Sequence, residues 1–289
     1  MYNSFEEIID ISKKTQKPFW QIIMEKDCHE LEIPPSEALA RMEKMYAAMK
    51  DADRNYDAKL TSPSGLVGHD GEKVAKARRS GNLLCGDFLG AVMEKAIKMG
   101  ESNACMKRIV AAPTAGSCGV VPAVFLSLEE ENGYSNEEMV KALYVSAGIG
   151  GVIAQRASVS GAAGGCQAEI GAASAMAAGG VAYLLGCNTE TIAHAAALAM
   201  KNLLGLACDP VAGLVEVPCV KRNVIGAVNA LTSADLANAG ILSKIPPDEV
   251  FDAMKNIGRM LPEELRETGK GGLAATPTGI AYRENLKKL

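Results

Sequence analysis

An all-α fold is what this sequence predicts, and three observations carry it. Apolar residues recur at helical spacing along most of the chain. Strand signals are nearly absent, with few alternating Val/Ile/Thr runs. Hydrophobic residues make up 48% of the 289, yet aromatics only 4%, so Ala, Leu, Val, Ile and 13 methionines must fill the core. Small, straight side chains of that kind suit closely packed helices. The expected organisation is a helical lead-in over residues 1–57 followed by one multi-helical domain over residues 58–289.

The elements follow in order. Ser4 with Glu7 forms a capping box ahead of Phe5, Ile8, Ile9 and Ile11. Pro18 opens a second helix with Trp20, Ile23 and Met24, and Ser36 caps a third with Leu39, Met42, Met45, Tyr46 and Met49 on one face. A polar glycine-rich loop spans Thr61 to Gly71. Residues 72–100 read as one or two helices broken near Ser80-Gly81. The small-residue loop Ala112 to Gly119 runs into an apolar helix. Ser135 and Glu138 box the start of a helix reaching about Ala157, in which Gly148-Ile149-Gly150-Gly151 permits close helix approach or marks a break. It is no dinucleotide fingerprint, because Ile153 stands where the third glycine would fall and no strand precedes it. Asn188 caps a helix from Thr189 to about Leu204, residues 208–219 form a loop, and helices follow over Val220–Leu242, from Pro247 to about Met260, at Pro262, and from about Thr278. Gly269-Lys270-Gly271-Gly272 reads as a flexible turn. Val110–Ala112 and Val215–Val217 are the two candidate extended pieces.

Charge and cysteine usage exclude several classes. A net charge of −4 argues against a nucleic-acid partner, which would need a basic face. Eight cysteines without a secretory signal indicate a reducing, cytoplasmic setting. Ile170 to Thr189 carries no charge over about a membrane-spanning length, but its Ala and Gly contribute little to insertion, so no membrane span is expected. Buried Ala/Gly helices often pair, so an oligomer is expected.

Three cysteines stand beside chain-bending residues: Cys166 after two glycines, Cys208 two before Pro210, and Cys219 just after Pro218. Spacing leaves two readings open. Three thiolates could hold a metal cluster with one open position, or each cysteine could be an ordinary buried small hydrophobe.

The motifs favour the first reading. Pro113-Thr114-Ala115-Gly116-Ser117, the run from Ser158 to Glu169, the run from Cys208 to Cys219, and Arg266-Glu267-Thr268-Gly269-Lys270-Gly271-Gly272-Leu273-Ala274 resemble those of the iron–sulfur L-serine dehydratases. The likeness runs end to end and is nearest to the α chain of the two-chain form. It implies a helical catalytic domain that converts L-serine to pyruvate and ammonia, with a [4Fe–4S] cluster on Cys166, Cys208 and Cys219 and a separate β chain as partner. Cys28, Cys85, Cys105, Cys118 and Cys187 then fall outside the cluster motifs and are structural.

Under this resemblance Thr114, Ala115, Gly116 and Ser117 are expected to bind substrate, with Ser160 and Gly161 as a second candidate. Gln167, Glu169 and Asp209 are candidates to orient the cluster, and Glu169 and Asp209 could equally cap helices. The candidate bases in this chain are His69, in the glycine-rich loop, and Lys201, were burial to lower its pKa. The family's catalytic histidine is expected in the β chain. Two departures stand out. Lys201-Asn202 replaces a His-Asn pair of single-chain members, and the chain ends Lys287-Lys288-Leu289 where those members end in a cysteine, so protection of the site by a tail is not expected. The competing readings are a pyridoxal-phosphate enzyme, which lacks a recognisable lysine motif here, an iron–sulfur cysteine desulfidase, and a non-catalytic cluster-bearing sensor or scaffold.

Overall fold

Caps and prolines divide the chain into helices close to where the sequence places them. The computed structural model describes residues 1–288, and among these are thirteen α-helices and no strand longer than an isolated bridge. Leu289 lies outside the described residues.

The lead-in comprises α1 (Phe5–Thr15), α2 (Phe19–Leu31) and α3 (Pro35–Arg54). Ser4 Oγ accepts the Glu7 N–H at 3.0 Å, but Glu7 returns its bond to the Asn3 N–H, so the box is offset by one residue. Ser36 does not cap α3. Pro34 holds the cap position and Pro35 opens the helix, since a proline there has φ preset and no N–H to satisfy. Met45 is 47% exposed while Tyr46 and Met49 are buried, so the expected apolar face is narrower than the full set named.

Helices α4 (Asp70–Arg79) and α5 (Gly86–Ala104) flank the break at Ser80-Gly81. The Asn132-Gly133 pair ends α6 (Val120–Asn132), with Gly133 left-handed at φ 70°. Ser135 and Glu138 form the full reciprocal box at the start of α7 (Asn136–Arg156). This helix is unbroken through Gly148–Gly151, and a Cβ at residue 148 would lie 2.5 Å from Ile23 Cγ1. Glycine there lets α2 seat directly on α7. A four-residue helix α8 (Gly161–Gly164) and a π-helical turn, Gln167–Gly171, lead into α9 (Ala172–Leu184). Asn188 caps α10 (Thr189–Lys201), which stops at Lys201 rather than continuing to Leu204. The remaining helices are α11 (Cys219–Asn238), α12 (Pro247–Met260) and α13 (Pro277–Leu286); the turn after Pro262 is only a 3-10 turn. Neither Val110–Ala112 nor Val215–Val217 becomes a strand.

The alanine-rich helix α9 is the axis of the fold, packed against α7, α10, α11 and α6. A Cβ at Gly179 would lie 2.0 Å from Ile149 Cδ1 and one at Gly180 2.4 Å from Phe125 Cζ, so the neighbouring helices approach to backbone distance. Its buried hydroxyl is satisfied: Ser174 Oγ donates to Gly226 O at 2.7 Å and accepts from Asn229 Nδ2. The Ala/Gly faces that suggested pairing between chains are thus used inside this one. The uncharged stretch from Ile170 is divided between the π turn, α9 and a loop, and among the described residues no helix is long and apolar enough to cross a membrane. Lead-in residues Phe5, Ile8, Phe19 and Tyr46 belong to the same buried cluster as Ile149 and Met254, and the Phe5 and Phe251 rings lie 5.4 Å apart. With α9 as axis, the segments around Thr114, Cys166 and Cys208 and the tail 262–275 gather at one end of α11.

Candidate metal centre

The three cysteines are buried, at 2%, 2% and 7% exposure for Cys166, Cys208 and Cys219. Cys166 follows Gly165, whose φ is +76° and where an added Cβ would stand 2.9 Å from Leu206 O, so no side chain is admitted. Cys208 is clamped on both sides by the tail: its N–H donates to Leu265 O and its carbonyl accepts from Glu267 N, each at 2.8 Å. Cys219 is the first residue of α11.

Charge distribution distinguishes the three. The Cys208 thiol, in contact with Cys166, and the nearby Arg222 guanidinium hold the Cys166 pKa below that of a free thiol against the cost of burial. Cys208 moves the opposite way, chiefly through its neighbour Cys166 and because it is buried. Burial, then the charge of Cys166, pushes Cys219 up to about 12. The surroundings therefore favour the thiolate form at Cys166 and the protonated thiol at Cys208 and Cys219. Arg222 donates to Ala207 O at 2.7 Å and to Asp209 Oδ1 at 2.9 Å, while Asp209 Oδ2 accepts the Leu273 N–H at 2.8 Å. That guanidinium joins α11, the Cys208 loop and the tail. Arg266, bridged through its backbone to Cys208, keeps a buried Nε without a hydrogen-bond partner among the described residues.

The three donors are all sulfur, the ligand type an iron–sulfur cluster takes. Among the described residues no three His, Cys, Asp or Glu side chains are drawn together tightly enough to hold one ion. Cys166 and Cys208 are neighbours, and Cys219 lies near enough for the charge of Cys166 to raise its pKa. A polynuclear cluster takes each thiolate to a different iron, so its sulfurs need not meet at a point.

Beside the cysteines lies an acidic recess. Thr114 Oγ1 donates to Glu169 Oε1 at 2.7 Å, and Cys208 Sγ lies 3.8 Å from Glu169 Oε2. A Cβ added to Gly161 would sit 2.7 Å from Glu169 Oε2, 3.1 Å from Cys208 Sγ and 3.1 Å from Glu267 Oε2. Burial, then the Glu267 carboxylate, raises the Glu169 pKa against the Thr114 hydrogen bond. Among the described residues neither acid has an ion-pair partner. Thr114 and Ser117 cap a short turn over Ala115–Ser117, whose first N–H groups, on Ala115 and Gly116, make no hydrogen bond within the described residues. Asn223, one turn into α11, fixes this turn by accepting from Gly119 N at 2.8 Å and donating to Gly116 O at 2.9 Å. Ser160 is exposed at the start of α8.

The two candidate bases lie elsewhere in the hydrogen-bond pattern. His69 is exposed, with Nδ1 at 2.6 Å from Ala58 O and Nε2 at 2.9 Å from Thr61 Oγ1, so both ring nitrogens pin their own loop. That loop reaches the centre through Ser62, which donates to buried Glu216 at 3.0 Å, and through Asp70, which pairs with Lys221 at 2.6 Å. Lys201 ends α10 and makes no hydrogen bond to the cysteines or to Thr114–Ser117. Sequence reasoning missed Arg222 and Asn223. Their positions at three and four residues after Cys219 place both one turn along the same helix, a signal present once Cys219 is taken as a helix start.

A helical protein with a three-cysteine centre beside a hydroxyl- and acid-lined recess is the class these features define. Residues 14–274 match the family described as serine dehydratase alpha chain, and the chain belongs to that family. It is 45% identical over 289 residues to the probable L-serine dehydratase, alpha chain, of Bacillus subtilis (strain 168), covering 100% of this chain and 95% of that protein. It is 38% identical over 289 residues to the L-serine dehydratase, alpha chain, of Peptoniphilus asaccharolyticus, covering 100% and 99%. Against the L-serine dehydratase of Helicobacter pylori (strain ATCC 700392 / 26695) identity is 36%, over 95% of this chain but 62% of that longer protein.

Proposed function

We propose that this chain is the α subunit of an iron–sulfur L-serine dehydratase, acting in the cytoplasm with a separate β chain. The observation that carries the reading is the convergence of Cys166, Cys208, Cys219 and Arg222 beside the Thr114–Glu169 pair. The three thiolates would hold a [4Fe–4S] cluster, with Arg222 offsetting part of their charge. When bound, that cluster supplies an open Lewis-acid position for the departing β-hydroxyl.

The chain's own residues bind and orient the amino acid. The free N–H groups of Ala115 and Gly116, with the hydroxyl of Ser117 or Ser160, meet the substrate carboxylate. Glu169 and Glu267 face its ammonium across Gly161, where the lack of a side chain leaves room. Loss of the α-proton and of hydroxide, which leaves as water, gives 2-aminoacrylate. This tautomerises and hydrolyses to pyruvate and ammonia. His69 is committed to its loop and Lys201 is remote from the recess in its bonding, so the base comes from the β chain. The H. pylori relative, of which this chain matches 62%, has room for such a segment in one polypeptide.

Anaerobic reconstitution with iron and sulfide, followed by assay of pyruvate from serine with and without the β chain, tests this. Cluster absorption from the α chain alone and turnover only in the mixture are expected. Failure to take up iron would sink the cofactor assignment, and full turnover by the lone α chain would sink the β-chain base.

A further inference from the structure

We infer that Gln167 is the positioning residue that sets Cys166 against Cys208. This rests on the proposed reading of those cysteines as cluster ligands. Gln167 is 0% exposed, and burying a primary amide is costly unless both of its ends are bonded. Both ends are. Its Nε2 donates to Met254 O at 3.0 Å, on α12, and its Oε1 accepts the Gly205 N–H at 2.9 Å, three residues before Cys208. Its own backbone N–H donates to Leu206 O at 3.1 Å.

One side chain and its peptide therefore tie the turn carrying Cys166 to the strand of loop entering Cys208, and anchor both to a helix that supplies no cysteine. The local backbone is built for this closeness. A Cβ on Gly258 of α12 would lie 2.9 Å from Gly164 Cα and 3.3 Å from Gln167 Nε2, so α12 rests on the amide with no side chain between. A π-helical turn begins at Gln167, and such turns are frequent at functional sites. Among the described residues the Gln167 amide bonds to Met254 and Gly205 and to neither sulfur, so it acts through their spacing.

The test uses the full chain in three variants. Gln167→Leu removes both amide bonds, Gln167→Glu keeps the acceptor for Gly205 but loses the donor to Met254, and Ser146→Ala removes a buried bond of the same kind far from the cysteines, that to Met176 O at 2.8 Å. After anaerobic reconstitution, resistance of the iron to a chelator is expected to fall roughly 10–100-fold in Gln167→Leu, the range found for groups that orient metal ligands, with Gln167→Glu between it and the wild type. Ser146→Ala is expected to lower the melting temperature while leaving chelator resistance unchanged. A metal-free readout separates this inference from the cofactor assignment. Diamide closure of the Cys166–Cys208 disulfide in the apo chain, followed by peptide mass mapping, is expected to slow about tenfold or more in Gln167→Leu. Wild-type chelator resistance in both Gln167 variants, or an equal loss in Ser146→Ala, overturns the inference. Should the wild type take up no iron, a slowed disulfide still supports the positioning role, and an unchanged disulfide rate refutes it. If Gln167→Leu does not fold, the same comparisons are read from Gln167→Glu.

Discussion

Replacing Arg222 by Met removes the guanidinium that acts on Cys166 while keeping most of the side-chain volume. Arg222 and Asp209 are 17% and 7% exposed and joined at 2.9 Å, so this pair is largely desolvated. Deleting one partner of a buried pair costs about 3–5 kcal/mol. Asp209 keeps the Leu273 N–H, a charge-assisted bond worth about 1.5–3 kcal/mol that stops it from being wholly orphaned. About 2–3 kcal/mol of lost stability in the metal-free chain is therefore expected. With a urea m-value of about 3 kcal/mol/M, the unfolding midpoint falls by roughly 0.7–1 M. Arg222→Met/Asp209→Leu removes both charges and is expected to recover most of that loss, giving a coupling of about 2 kcal/mol in the double-mutant cycle. Iron loading is a second readout: without Arg222 the Cys166 thiol loses a charge that lowers its pKa, and iron uptake is expected to be slower at neutral pH than at pH 9. The assay is urea denaturation followed by circular dichroism, with iron loading measured at both pH values. A midpoint within about 0.2 M of wild type, or a double variant weaker than the single one, would refute the placement of this guanidinium as the charge that knits α11 to the Cys208 loop and tail.

Three further outcomes are expected. Cys166→Ser, Cys208→Ser and Cys219→Ser each lose the thiolate-to-iron absorption after reconstitution, while Cys105→Ser, on a partly buried cysteine outside the centre, keeps it; retention in any of the first three contradicts the ligand assignment. Gly161→Ala, whose methyl would meet Glu169, Cys208 and Glu267, cuts pyruvate formation at least tenfold, whereas Glu267→Gln raises KM for serine about fivefold with kcat little changed, the pattern of lost uniform binding; an unchanged KM removes Glu267 from ammonium recognition. Burial pushes the fully enclosed Cys118 thiol up to about 12 from 9.0, so from pH 9 upward the unfolded chain sheds a proton the folded chain keeps, and stability falls as pH rises by up to about 1.4 kcal/mol per unit from this group; in Cys118→Ala that part of the alkaline slope, read from urea midpoints between pH 9 and 11, disappears.

The helical architecture was legible because its signals are local. Ser135 with Glu138, Asn188 before Thr189 and Pro247 at a helix start each act within one turn, and the structure holds them where periodicity puts them. The local misreadings have local causes: Pro35 outcompetes Ser36 for the start of α3, and Met45 falls off a stripe that turns by 100° per residue. The cysteines stood out by their neighbours, Gly165 and Pro218 above all, and the motifs around them singled out a functional end of the molecule. What could not be read was the set of partners those cysteines find. Arg222 with Asp209, Gln167 with Gly205 and Met254, and Asn223 with Gly116 are contacts between segments 13 to 107 residues apart, fixed by how closely α9 lets its neighbours approach.

That dependence explains why so much glycine surrounds the centre. Three loops and a tail can share one end of α11 only if backbones nearly touch, and at Gly165, Gly258 and Gly272 an added Cβ would stand 2.6, 2.9 and 2.4 Å from the nearest atom. At Gly272 that atom is Asp209 Oδ2, the oxygen that holds the tail N–H of Leu273. The tail's glycine run, legible in sequence only as a flexible turn, is thus a fitted surface: Gly269 lies against Pro210 and Gly213, and Gly272 against Asp209. A flexible linker would leave the Cys208 loop free to open. A fitted one transmits any shift of residues 265–273 straight to the Cys208 backbone, through the two bonds at Leu265 and Glu267. The tail therefore belongs to the candidate metal centre as much as the cysteine loops do, although it contributes no sulfur.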